Sequence, residues 1–135
     1  MTEAASSSNG SAGTTRVSIA SGPLVGPVLR RVVGMLAARA DLPLDRLDDA
    51  VLVADLIASR APAHMKTASV EVDLETADRT LFLRVGPLRP GGGEALIVDA
   101  SVPGVGNVIE QLADDISVKP EGDAEYLLVR LAYSS

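Results

Sequence analysis

The strongest constraint on this chain is a change of period between residues 69 and 85. Val70, Val72 and Leu74 alternate with Ser69, Glu71 and Asp73, and then Leu81, Leu83 and Val85 alternate with Thr80, Phe82 and Arg84. Successive side chains of a strand point to opposite faces, so each run presents one aliphatic face. The stretch between them, Glu75 to Arg79, is polar and turn-like. The pattern predicts an antiparallel hairpin with one apolar face, and that face must be covered by something else.

The segment before the hairpin supplies the cover. From Leu24 to Ala40 the residues Val25, Val28, Leu29, Val32, Val33 and Leu36 recur at helical spacing, with Arg30 and Arg31 off the centre of the stripe. Asp41-Leu42-Pro43 interrupts, and a second helix is expected over about Leu44 to Arg60. Leu47, Val51, Ala54 and Ala58 line one face of it, widened by Leu52 and Leu56. Asp45, Asp48, Asp49 and Asp55 form its wet side, the first three near the positive end of the helix dipole. Pro62 ends it.

The rest of the chain reads as shorter pieces. Thr15–Ala20 is a short strand by the alternation of Val17 and Ile19 with Arg16 and Ser18, and Ser21-Gly22-Pro23 breaks it. After the hairpin, Gly86 to Gly93 reads as a loop, Ala95 to Val98 as a short extended piece, and Val102 to Gly106 as a second glycine-bearing loop. A helix from about Asn107 to Ala113 follows, then strands at Ile116–Lys119 and Glu125–Ala132. The expected architecture is an α/β (α+β) two-layer sandwich: a mostly antiparallel mixed sheet covered on one face by about three helices. Residues 1–14, mostly Ser, Ala, Gly and Thr, read as a flexible tail before a single domain over 15–133.

Composition narrows the function. Of 135 residues only one is Phe, two are Tyr and none is Trp, and the net charge is −6. Single-stranded nucleic acid is held by aromatic stacking and phosphate backbones by basic patches, so nucleic-acid binding is not expected. The absence of cysteine removes disulfides, thiolate metal sites and a cysteine nucleophile. The start lacks the positive and apolar regions of a signal peptide, and no apolar run reaches the roughly 18 residues of a membrane span. A cytoplasmic protein without membrane contact is expected.

The order of elements, with Leu47-Asp48-Asp49-Ala50-Val51-Leu52-Val53-Ala54-Asp55 in the second helix and Val108-Ile109-Glu110-Gln111-Leu112-Ala113-Asp114-Asp115-Ile116 near the end, resembles the GHKL (Bergerat-like) ATP-binding domain. More narrowly it looks like the partner-switching anti-sigma serine kinases, the RsbW-like family, over about residues 15 to 133. The resemblance implies a glutamate and a magnesium-holding asparagine on the second helix, and these positions fall on Leu56 and Arg60. Neither suits its task, since leucine takes no proton and magnesium wants hard oxygen ligands. A shift of one residue would place Asp55 and Ser59 there instead. The family's adenine-reading acid, expected after the hairpin, is missing from Gly86-Pro87-Leu88-Arg89-Pro90. Gly104 and Gly106 match its glycine lid only after a one-residue shift.

Phosphoryl transfer depends on positioning and metal electrostatics, so loss of these elements implies a protein without kinase activity. The resemblance then implies a regulator that binds a sigma factor, a STAS-type anti-anti-sigma partner, or both, and that dimerises, with neither metal nor cofactor. Arg30 and Arg31 are its candidate partner-binding residues. ATP with magnesium returns if the enzyme is an active serine kinase, and a remodelled pocket binding another small molecule is the remaining reading.

Other candidates have plainer explanations. Gly91-Gly92-Gly93 could cradle phosphate through N–H groups but lacks the Lys-Ser/Thr of a P-loop, and reads as a mobile loop. His64, the one histidine, reads as a surface residue without a nucleophile beside it. Asp45, Asp48 and Asp49 match no calcium-loop spacing and read as a solvated helix face. Asp114-Asp115 reads as a polar junction between helix and strand.

Overall fold

The alternation at 69–85 becomes two paired strands in a computed structural model of the chain, which describes residues 14–77 and 79–132. Strand β1 spans Thr14–Ala20, helix α1 Val25–Arg39 and helix α2 Leu44–Arg60, followed by a 3₁₀ turn at Ala61–His64. Then come β2 (Ser69–Ala77), β3 (Thr80–Leu88), α3 (Gly92–Asp99), β4 (Ser101–Val102), β5 (Gly106–Asn107), α4 (Val108–Leu112), β6 (Asp115–Glu121) and β7 (Ala124–Ala132). The tail expected over 1–14 lies outside the described residues except for Thr14, which opens β1. Tyr133, the expected end of the domain, also lies outside them.

Five strands form one sheet in the order β1-β2-β3-β7-β6, and every neighbouring pair in it is antiparallel. The two-layer α+β sandwich therefore forms, with no parallel pair among the described residues. One sheet face carries Val70, Val72, Leu74, Leu81, Leu83, Val85, Leu127, Val129 and Leu131, all buried. Against it lie Val25, Leu29, Val33 and Leu36 of α1 and Val53, Ala54 and Ile57 of α2, joined by Leu96 of α3 and Ile109 of α4. Each fully buried aliphatic side chain of this kind contributes about 1.5–3 kcal/mol.

Helices α1 and α2 approach closely because the seam is made of small residues. A Cβ added to Gly26 would sit 4.0 Å from Cβ of Ala58, and one added to Gly34 would sit 4.0 Å from Cγ2 of Val51. Beyond Val85 the pairing of β3 with β7 slips, so that Leu88 meets Glu125, at the place where Pro87 has no N–H to give to a ladder.

Two expected pieces differ. The loop expected over 86–93 is strand as far as Leu88, and Ala95 to Val98 is helical instead of extended. The helix has no side-chain cap of its own in local sequence. Its start is fixed from a distance, by the carboxylate of Glu125 on β7.

The outer face of the sheet is polar and cross-linked. Arg16 donates to both carboxylate oxygens of Asp73 at 2.7 and 3.2 Å, and Arg84 bridges Asp73 (3.3 Å) to Glu121 (2.6 Å). The Arg84 guanidinium also lies 3.8 Å from the Tyr126 ring centre, a cation–π contact.

Candidate functional site

Helix α2 runs over the residues expected, Leu44–Arg60. Leu56 is half-buried on its flank and packs against the core. Arg60 follows one turn later, also half-buried, and its Nε is enclosed with no hydrogen-bond partner among the described residues. This pair offers no oxygen to a proton or a magnesium ion. The shifted register fares no better as a site. Asp55 accepts from Arg30 Nε at 2.9 Å, and the Ser59 hydroxyl donates to the Leu56 carbonyl at 3.1 Å.

Gly91 caps α3 and Gly92 and Gly93 form its buried first turn, where a loop was expected. A Cβ on Gly92 would fall 3.0 Å from the His64 carbonyl oxygen, and one on Gly93 2.5 Å from Cγ1 of Val118. The N–H groups a phosphate would need are already used, since Gly91 and Gly93 donate to the two oxygens of Glu125 at 3.0 and 3.1 Å. Those bonds, Gly91 first, hold the Glu125 carboxyl below the usual glutamate range. The protein's own anion thus fills the place.

Gly104, within the tight turn that joins β4 to β5, and Gly106, which opens β5, both adopt left-handed backbone, φ 81° and 97°. Gln111 Nε2 donates to the Val105 carbonyl at 2.7 Å, and Asn107 caps α4 through its Oδ1 while its Nδ2 donates to the Ile97 carbonyl at 2.5 Å. The lid-like segment is tied down by its own neighbours.

The remaining candidates are placed as follows. His64 is largely covered rather than a free surface residue, and its Nε2 lies 2.9 Å from Asp99 Oδ2. Asp45, Asp48 and Asp49 do not converge: Asp45 accepts from the Arg46 N–H and Asp49 from the Arg46 side chain, while Asp48 is exposed. No three His, Cys, Asp or Glu among the described residues are grouped to hold a metal ion. Asp114 is the polar junction expected, for it accepts from the Ala132 N–H at 2.6 Å and from Arg46 at 2.5 Å. Arg30 is occupied by Asp55, whereas Arg31 is exposed on α1.

Sequence reading did not single out Arg46 and Glu125, the two residues that organise most of this region. Arg46 reads as one more polar residue in an acidic helix, and Glu125 as an ordinary strand residue. Their partners lie 34 to 86 residues away in Gly91, Leu112, Asp114 and Ala132. A cleft of about 450 Å³ also opens on the outer sheet face, lined by Asp73, Glu75, Phe82, Arg84, Leu128 and Arg130.

No protein-family model matches the chain, and no curated protein matches it. No helix among the described residues is long and apolar enough to cross a membrane.

Proposed function

We propose that this protein is a regulator of the anti-sigma type, binding a sigma factor or a STAS-type anti-anti-sigma partner without phosphorylating it. The observation that carries this reading is the state of α2 and the glycine run. Leu56 packs into the core and Arg60 stands where the resemblance places a magnesium ligand. Glu125 takes the N–H groups of Gly91 and Gly93. A scaffold with its chemistry removed keeps its surfaces, and function resides in sites rather than in folds.

Arg31 is the cation offered to such a partner, because it is exposed and has no ion pair among the described residues, whereas Arg30 is spent on Asp55. A guanidinium suits a carboxylate-bearing partner by bidentate geometry. The test is co-purification of the tagged chain with the host's alternative sigma factors and STAS proteins, with and without Mg-ATP. ATP-independent capture of a sigma factor or STAS protein is the expected result. Capture that requires ATP, or a phosphorylated STAS serine, refutes the loss of chemistry.

A second reading, a sensor of a small anionic ligand, is favoured by the enclosed and unpartnered Nε of Arg60. A buried donor left without an acceptor costs about 1–3 kcal/mol, which an anion would recover. A thermal-shift screen of nucleotides and anionic metabolites, repeated on Arg60→Met, distinguishes the two.

A further inference from the structure

The sheet face turned away from the helices carries the rings that the core lacks. Among the described residues the core holds no phenyl or phenol ring, whereas Phe82 of β3 and Tyr126 of β7 lie half-buried on this outer face. Aromatic side chains supply much of the contact area of binding sites. Phe82 and its diagonal neighbour Leu128 line the cleft of about 450 Å³, a volume that suits a small ligand.

The charges around the cleft fall into two groups. Asp73 and Glu121 are answered by Arg16 and Arg84. Arg130, Asp115 and Glu75 are not, for none of these three side chains has an ion pair among the described residues. Cross-strand pairing nevertheless sets Asp115 directly opposite Arg130, Arg130 opposite Phe82, and Phe82 opposite Glu75. One row across four strands thus runs acid, ring, cation, acid. Arg130 is half-buried in that row, so its charge is held partly out of water without a fixed counter-ion.

We propose that this cleft binds a free α-amino acid with a large apolar side chain. A plain anion at Arg130 meets two unpaired carboxylates, and a plain cation at Asp115 meets the guanidinium, so each is partly repelled. A zwitterion answers both. Its carboxylate pairs with the Arg130 guanidinium as a bidentate fork, and its ammonium donates to Asp115. Neighbouring strands lie about 4.8 Å apart, which suits two charged groups carried on one carbon better than those of a longer zwitterion. The side chain extends over Leu128 and the Phe82 ring, where an aromatic residue gains an offset or edge-on ring contact. Glu75, beyond the ring, keeps a second anion out. The cleft lies across the sheet from α2 and α3, so it is independent of the regulatory reading.

Titration of the isotope-labelled full chain with L-phenylalanine, followed by amide NMR, tests this. Saturable shifts are expected in β3, β6 and β7, around Phe82, Asp115, Leu128 and Arg130. Two further probes each lack one charge. N-acetyl-L-phenylalanine has no ammonium and stands in for a peptide C-terminus, and L-phenylalaninamide has no carboxylate and stands in for an N-terminus. Each should bind roughly tenfold or more weakly than the free amino acid. Arg130→Gln should abolish the preference for phenylalanine over its amide, and Asp115→Asn the preference over the N-acetyl compound. This exchange of preferences is one that general loss of structure does not produce, and thermal melts by circular dichroism verify that each variant is folded. No saturable shift, shifts centred elsewhere in the chain, or variants that leave the order of the probes unchanged overturn the proposal. N-acetyl-L-phenylalanine binding as well as the free amino acid also overturns it, and assigns the cleft to a peptide C-terminus. Capture of a partner protein, or its failure, alters none of these outcomes.

Discussion

Arg46 Nη2 of α2 lies 2.5 Å from Asp114 Oδ2, joining residues 68 apart in the chain. The same guanidinium donates to Asp49 at 3.0 Å, to the Leu112 carbonyl at 2.9 Å and to the Ala132 carbonyl at 3.2 Å. One side chain thus fastens the start of α2 to the end of α4 and to the last strand of the sheet. It satisfies the Leu112 carbonyl, at the end of α4, which no helical turn follows. The cost of ordering a long side chain is spread over four acceptors, which separates this arrangement from an isolated surface ion pair.

Replacing Arg46 with Met keeps the aliphatic stem and removes every one of these bonds. The Arg46 side chain is only 17% exposed, so Asp114 loses a charged donor in a partly shielded place. Urea denaturation is expected to show a loss of about 2–3 kcal/mol. Arg46→Lys recovers only part of it, because an ammonium cannot span the same acceptors in a plane.

Glu125 makes stability depend on pH. Its carboxyl is depressed by the N–H groups of Gly91 and Gly93. A depressed carboxyl stabilises the fold above its unfolded pKa of about 4.3, and that contribution disappears as pH falls through the lower folded value. Glu125→Gln removes the proton linkage. The slope of unfolding free energy against pH, measured by denaturant titration below about pH 5, should be shallower in the variant. An unchanged slope would mean that the contacts at the start of α3 carry no linkage.

Restoring an acid to α2 should not restore chemistry. Leu56 packs against the core, so Leu56→Glu places a carboxylate where an aliphatic group is half-buried, and a loss of about 1–2 kcal/mol is expected. Calorimetric titration of the wild-type chain and of Leu56→Glu/Arg60→Asn with Mg-ATP should be flat in both, since Glu125 still fills the glycine run. Heat on titration of the wild type would reinstate the kinase reading.

Local sequence carried the elements whose cause is local. The period-two runs around Val72 and Leu83 and the helical stripe through Leu29 and Val33 lead directly to β2, β3 and α1, because burial of one face decides each. The residues 95–98 were misleading for the opposite reason. Ala95, Leu96, Ile97 and Val98 form a short apolar run that suits a strand as well as a helix, and what selects the helix is Glu125, some thirty residues on. His64 likewise shows no local sign of Asp99. The position of Arg46 at a junction of three elements follows only from the fold.

The glycine run supplies a last test, because two of its members are glycine for different reasons. Gly91 has φ 82° and open space around it, so an added methyl meets only the cost of a left-handed backbone. Gly91→Ala is expected to cost about 1 kcal/mol. At Gly93 the added Cβ would lie 2.5 Å from Val118 Cγ1 and 3.2 Å from the Glu125 carboxylate, so β6 or α3 must shift and the Glu125 bond is disturbed. Gly93→Ala is expected to cost about 2–3 kcal/mol by overpacking. If the run instead served phosphate, inorganic phosphate would raise the melting temperature of the wild type and lose that effect in Gly93→Ala. With Glu125 in place the expected shift is nil in both proteins, and only Glu125→Ala, which frees the two N–H groups, should gain any response to phosphate.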